Sequence, residues 1–507
     1  MAASMNLQLN PAKCMTVHIS GKQPVGVRET QFHIGPHLIP YLKEFDSFDY
    51  LGKPIGFNLL ANDTTIQKAI EMGAKLLSSM LAPWQRIDAI KTFVFPSLNF
   101  AMRINSCSKG DWQKLDDALR PLIKRTLYLP QNASNDYLYA STNKGCCGIP
   151  LAAETSDVAK VDGTFRLLTS RDGIVSDMAR EAVTRTVSKR LRSTPMTADI
   201  EAYLSGNYNG AFQVTTNELR NIWTVARKAS RRLGVSWDLH QDDPIITLGT
   251  QSMTSRWRTR IMRTVRKQKD DESAQRLIDL PNQGKVSECV ALDRSSTHFI
   301  RSGQYTRFCD WRFIHRARLN LLPVNGARVW AGGDKRCRRC GHSNETLPHV
   351  LCHCMRQSQA LTDRHNKVVQ RIKTAAQTRF TVISENKPVG ESGLRPDLVL
   401  AKGEEAIIID ITCPFDNRKV AFEDARRAKE EKYKPVQEHL KRRYQKVSIE
   451  VVVVGALRSW DPANDRLLKR FCAKRYLRTL KRLCISSVLA SSRDIYATHI
   501  SGRSNSV

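Results

Sequence analysis

Apolar positions change their period several times along the chain. From Thr64, residues Ile66, Ala69, Ile70, Ala74 and Leu77 recur at three- and four-residue spacing, which predicts a helix with one buried face. Asn62, Asp63 and Thr64 stand just before it and supply capping side chains. The same period predicts helices over residues 84–93 and 109–127. Upstream the period is two: residues 14–19 alternate as a strand does, and Phe48-Asp49-Tyr50-Leu51-Gly52 reads as a strand entering a turn. Residues 151–250 are mixed, mostly helical and without a motif. After residue 360 the pattern predicts a helix, a β-hairpin, a long helix over 419–444, a strand over 447–454 and a basic helix. No repeat at a solenoid period and no low-complexity tract interrupts this order.

Composition adds a partner. Of 507 residues, 80 are Lys or Arg and 49 Asp or Glu, a formal net charge of +31. Self-repulsion on that scale opposes compaction and points to a polyanion, nucleic acid first. With 41% hydrophobic residues the chain has material for real cores, and its length suggests three or four domains. No apolar run approaches the roughly 18 to 20 residues of a membrane helix, and the first ten residues lack a secretory pattern. The expectation is therefore no membrane partner. The basic charge gathers at Arg256, Arg258, Arg260, Arg263 and Arg266, at the arginines around residue 338, and on a helix from Arg466 to Arg482. Trp257, Trp311 and Trp330 can stack on bases, but core packing is the favoured reading.

Four of the 13 cysteines crowd into residues 337–354, a metal-binding rather than a disulfide pattern. Cys337 and Cys340, two residues apart, can hold Zn²⁺ from one turn, and His349 and Cys354 complete a tetrahedron. Cys352 is a rival fourth ligand, with His342 and His353 as stand-ins. Arg338 and Arg339 flank the site, so the metal is expected to fold a knob that touches phosphates.

Leu394 to Leu400 and Ala406 to Thr412 read as two strands around a turn at Gly403. If the hairpin centres between Gly403 and Glu404, Asp397 falls opposite Asp410. Opposed residues bring their β-carbons to about 4.5 to 5.5 Å, close enough for two carboxylates to share Mg²⁺. Downstream, Lys429 and Lys432 share one face of the following helix. A lysine beside such a metal can orient an attacking water and stabilise the phosphate in its transition state.

The zinc motif, Arg364-His365-Asn366, Arg395-Pro396-Asp397 and Asp410 together resemble the C-terminal half of non-LTR (type-1) retrotransposon polyproteins. More narrowly, they resemble the site-specific kind with a CCHC knuckle followed by a restriction-like endonuclease of the PD-(D/E)xK class. Its signature is Lys/Arg-Pro-Asp with a second acid about a dozen residues on, matched here by Arg395, Pro396, Asp397 and Asp410. The class usually puts lysine two residues after the second acid, where this chain has Thr412. In the resembling branch the following helix supplies it, which implies Lys432 or Lys429, with Lys432 preferred. Upstream, Leu7 to Cys14 is similar to the segment after the reverse-transcriptase Asp-Asp, and Tyr50-Leu51-Gly52 to the primer-grip hairpin.

The resemblance implies a multidomain, α-rich α/β chain. Residues 1–60 would end a reverse-transcriptase palm with its primer-grip hairpin, and 61–150 would form a helical thumb. A mostly helical basic linker (151–325), a CCHC zinc knuckle (326–366) and the endonuclease (367–507) would follow. Structural Zn²⁺, catalytic Mg²⁺, a DNA target, the element RNA and a nuclear location follow as expectations. Arg395 joins the other arginines as a nucleic-acid contact. Both palm acid clusters would precede Leu7, so a truncated polyprotein without autonomous DNA synthesis is expected. Asp116-Asp117 lies on an amphipathic helix and Asp242-Asp243 and Asp270-Asp271 lack palm context, so none replaces them. A second reading, a non-catalytic nucleic-acid-binding remnant, needs only the basic surface and the knob. A third, a structural ribonucleoprotein component, leaves the hairpin acids unexplained.

Overall fold

The computed structural model describes residues 8–50, 53–57, 64–104, 107–213, 221–239, 243–327 and 333–502. Leu7, Leu51, Gly52, Asn62, Asp63, Asp242 and Trp330 lie outside them. Near the N-terminus the strands are two or three residues long and pair as separate two-stranded ribbons, including Phe48–Tyr50 with Lys53–Ile55. The strand expected over 14–19 begins only at His18, because Asn10 caps a tight 3₁₀ turn at Pro11–Lys13.

The helices α1 (Thr65–Leu77) and α2 (Lys109–Thr126) bear out the three- and four-residue spacing. On α2, Trp112, Leu115, Leu119 and Ile123 are buried, four positions along one stripe. Ser108 caps it in a reciprocal box with Asp111, whose carboxyl falls to about 2 because the Ser108 hydroxyl and Lys114 bond its charged form. The inward Asp116 accepts the Ala152 and Ala153 N–H groups at 2.7 and 2.9 Å. It thereby caps α3 (Ala152–Leu168), and burial lifts its carboxyl to about 6. A structural cap explains this acid.

Two further helices, α4 (Gly173–Leu191) and α5 (Ile222–Leu233), lead into an antiparallel sheet of β1 (Val235–Asp238), β2 (Ile245–Leu248) and β3 (Gln251–Met253). These strands of three or four residues are too short for a period-two signal to stand out. After α6 (Ile261–Asp279), helix α7 (Phe308–Arg318) runs through the core. Trp311 is fully buried and meets Trp84 and Phe299 edge-on, with both centroids at 5.6 Å. Part of the expected linker is thus a wall of the core that α1 and α2 also line.

The C-terminal region is three-layered. Helix α8 (Ser358–Ala376) precedes strands β4 (Thr381–Glu385), β5 (Leu398–Lys402) and β6 (Glu405–Thr412). Next come α9 (Arg418–Lys432), α10 (Lys434–Lys441), β7 (Lys446–Val453), α11 (Asn464–Phe471) and α12 (Lys474–Ser501). The sheet order is β4-β5-β6-β7, antiparallel except for β6 and β7, whose parallel pairing is joined through α9 and α10. Ile407, Ile409 and Ile411 face α8 and α12, whereas Ala406 and Ile408 face α10. That alternation leaves Asp410 on the α9–α10 side. The helix expected over 419–444 breaks at Tyr433, two residues before Pro435 in the first turn of α10, and the basic C-terminal helix breaks at Cys472. No helix among the described residues is long and apolar enough to cross a membrane.

Candidate nuclease and zinc centres

The hairpin places the two acids together. Leu398 opposes Ile409 and Lys402 opposes Glu405, the register read from the turn, and one step further sets Asp397 beside Asp410. Gly403 adopts φ +55°, which the two-residue connection needs and a side chain would resist. Asp397 lies just before the start of β5, and its Oδ2 accepts the Ile411 N–H at 2.6 Å and meets His365 Nε2 at 3.0 Å. Among the described residues, its Oδ1 takes no hydrogen bond.

Asp410 is 2% exposed, and its Oδ2 lies 2.8 Å from Lys429 Nζ on α9. An ammonium at that distance offsets much of the cost of burying the carboxylate. Lys432, the preferred lysine, is solvent-exposed and stands 4.9 Å from the Tyr433 ring. The reason is rotational: the chain buries Phe422 and Tyr433 under the sheet, which turns Lys429 inward and Lys432 out.

Sequence reasoning gives no role to two members of the centre. His365, on α8, joins Asp397 to the Ile411 carbonyl through Nε2. Burial is the largest influence on its ring and lowers the pKa, but the bond to Asp397 and its charge outweigh burial, and the net shift is upward. Tyr433 donates to the Arg395 carbonyl at 3.1 Å, and burial followed by the Asp410 carboxylate push its phenol well above its ordinary range. The Arg364-His365-Asn366 triplet is the available signal for His365; Tyr433 has none.

Cys337, Cys340, His349 and Cys354 bring their ligand atoms within 4.8 Å of one another. A tetrahedral zinc with bonds of about 2.3 Å has ligand edges of about 3.8 Å, so this Cys₃His set fits the ion. All 13 cysteines carry free thiols, as a metal site requires. Cys352 stands apart, directed at the Cys413 carbonyl at 3.8 Å, and His342 stacks on His349 at 4.5 Å. Knuckle and sheet meet at Arg364, whose guanidinium donates to the Leu351 carbonyl, the Cys413 carbonyl and Ser492.

The arginines divide. Arg256, Arg260 and Arg263 are exposed, with Arg260 5.2 Å from the half-exposed Trp257. Arg258 exchanges hydrogen bonds with Arg166, and Arg266 turns inward, its pKa lowered by burial and partly restored by Asp270, Glu154 and Asp162. Arg395 is exposed next to the acids. Arg338 and Arg339, expected as phosphate contacts, both have partners within the protein. Arg338 forks onto the buried Glu345, with Nη2 to Oε2 at 2.8 Å. Arg339 caps the end of α12 by donating to the His499 carbonyl at 2.7 Å. Both hold the knuckle in place.

No family model matches the chain. It is 26% identical over 486 residues to the retrovirus-related Pol polyprotein from the type-2 retrotransposable element R2DM of Drosophila melanogaster. That alignment covers 93% of this chain and 39% of the relative, so the chain spans well under half of that polyprotein. It is 22% identical over 489 residues to the Pol polyprotein from the type-1 retrotransposable element R2 of Popillia japonica, covering 92% of this chain and 85% of the relative. An uncharacterized Caenorhabditis elegans protein is 23% identical over 342 residues, 62% of this chain and 94% of that one. Over more than nine-tenths of its length, the chain is a homologue of the Pol polyproteins of R2 non-LTR retrotransposable elements.

Proposed function

We propose that this chain is a retrotransposon polyprotein with a metal-dependent DNA endonuclease at Asp397 and Asp410, acting on a nuclear DNA target together with the element RNA. The observation that carries the proposal is the convergence of Asp397, Asp410 and Lys429 at the meeting of β5, β6 and α9. The mixed β4–β7 sheet clad by helices on both faces supports a PD-(D/E)xK-like core.

Carboxylate oxygens are the donors that Mg²⁺ prefers, and the free Oδ1 of Asp397 beside Asp410 suits it. Bound there, the ion supplies Lewis-acid polarisation of the scissile phosphate. The chain's own groups do the rest. His365 and the Ile411 N–H fix the Asp397 carboxylate in one orientation. Lys429 holds a positive charge where negative charge develops on the phosphate oxygens. Exposed Arg395 and the Arg256–Arg263 group bind the backbone. Zinc on Cys337, Cys340, His349 and Cys354 stabilises the knuckle without entering the reaction.

Nicking of supercoiled plasmid in Mg²⁺ tests the reading. Wild-type protein should nick and Asp397→Ala should not. Equal nicking by both would remove the site, and binding without cleavage in every divalent ion would leave the non-catalytic reading.

A further inference from the structure

A groove of about 880 Å³ runs between α8 and α12, outside the centre just described. One wall carries Lys367 and Arg371, and the other carries Tyr476, Leu483 and Ser487. Its cations are held by hydroxyls instead of carboxylates. Lys367 Nζ reaches Ser491 Oγ at 3.1 Å, and the Arg371 guanidinium reaches Ser487 Oγ at 2.9 Å. Serine fixes these side chains without neutralising them, so their charge stays available to a phosphate. Asp363 is the one acid along the groove, and it accepts from Gln359. Just above, Lys474, Arg475 and Arg478 are exposed in the first turns of α12.

Position and shape narrow the ligand. Asn366 lines the groove and its Oδ1 lies 3.3 Å from Nδ1 of His365, whose other nitrogen holds Asp397. Two adjacent residues, Asn366 and His365, therefore link the edge of the groove to Asp397. Tyr476 is 44% exposed, and Leu480 and Leu483 continue its apolar side. A duplex keeps its bases stacked inside and has no use for an aromatic platform; an unpaired strand stacks its bases on one while its backbone follows the cations.

We infer that the α8–α12 groove binds a single strand of DNA, stacking a base on Tyr476 and leading the strand to Asp397 and Asp410. The inference rests on reading that centre as a DNA nuclease. Phosphates meet Lys367 and Arg371 while the strand lies along the groove between the two helices.

Fluorescence anisotropy with the full chain tests it, using a labelled oligodeoxynucleotide of about 12 residues without added Mg²⁺. Tyr476→Ala should weaken binding roughly five- to a hundredfold, and Tyr476→Phe should restore it. Lys367→Gln should weaken it too and reduce its salt dependence. Duplex of the same sequence should be indifferent to Tyr476→Ala. Unchanged binding by Tyr476→Ala, an equal loss for duplex, or equally tight binding of the matching RNA strand would each overturn the inference. The same measurement on Asp397→Ala protein separates the two readings. A Tyr476 effect that persists there keeps the groove even if the plasmid assay removes the nuclease.

Discussion

Lys429 Nζ lies 2.8 Å from Asp410 Oδ2, an ion pair that joins helix α9 to the open end of the β5–β6 hairpin. The pair places one cation against an acid that is otherwise enclosed by β-sheet and helix. It also separates two lysines that a helical wheel puts on one face.

The first prediction follows from that separation. Lys429→Ala should reduce plasmid nicking by about 10²- to 10³-fold, the usual effect of removing one transition-state charge partner. Lys432→Ala should change it by less than about threefold, because that side chain meets solvent and the Tyr433 ring. Circular dichroism of both variants should match the wild type. The reverse ranking of rates would return the role to Lys432.

Zinc occupancy gives a second. Atomic emission should find one zinc per chain, absent from Cys340→Ser and from Cys354→Ser. Cys352→Ser should retain it, since that thiol faces the Cys413 carbonyl. Loss of zinc in Cys352→Ser with retention in Cys354→Ser would move the fourth ligand. Because Arg364 ties the knuckle to the strand that carries Asp410, zinc-free protein should also nick more slowly.

The arginines differ in a way that salt titration reads. Replacing Arg256, Arg260 and Arg263 with alanine should flatten the dependence of log K on log salt by roughly one for each phosphate no longer neutralised. Arg338→Ala should leave that slope unchanged and destabilise the fold instead, by about 1 to 3 kcal/mol, because Glu345 is left buried without its guanidinium. A lower slope for Arg338→Ala would restore it as a phosphate contact.

What was legible in the sequence is what short-range pattern determines. The β5–β6 register followed from a glycine turn flanked by two continuous aliphatic runs, and α2 from an apolar stripe behind a serine cap. Strand β4 stayed hidden because Thr381–Glu385 contains no fully buried position, so nothing marks its inward face. Which lysine faces Asp410 was not legible, because helix rotation is set by packing of Phe422 and Tyr433, not by spacing. Arg339 finds its acceptor on His499, at the far end of the chain, a contact no local pattern contains.

Acid titration supplies the last prediction. His298 Nδ1 lies 2.7 Å from the Ser295 carbonyl, and Nε2 lies 2.9 Å from an Arg458 nitrogen and 3.2 Å from the Gln304 carbonyl. Burial, then the Arg458 charge, lower its pKa from 6.5 to about 4. The folded state thus binds this proton more weakly than the unfolded state does. The stability it supports is complete above about pH 6.5 and is lost as pH falls through 4, amounting to roughly 3 kcal/mol. The fully buried His315, lowered to about 3 by burial and by Arg318, adds a loss of the same sign. Urea melts between pH 7 and 4 should therefore change on His298→Gln, which eliminates one titrating ring and with it this loss of stability towards acid. A slope unaltered by His298→Gln would mean that His298 does not carry this part of the acid response.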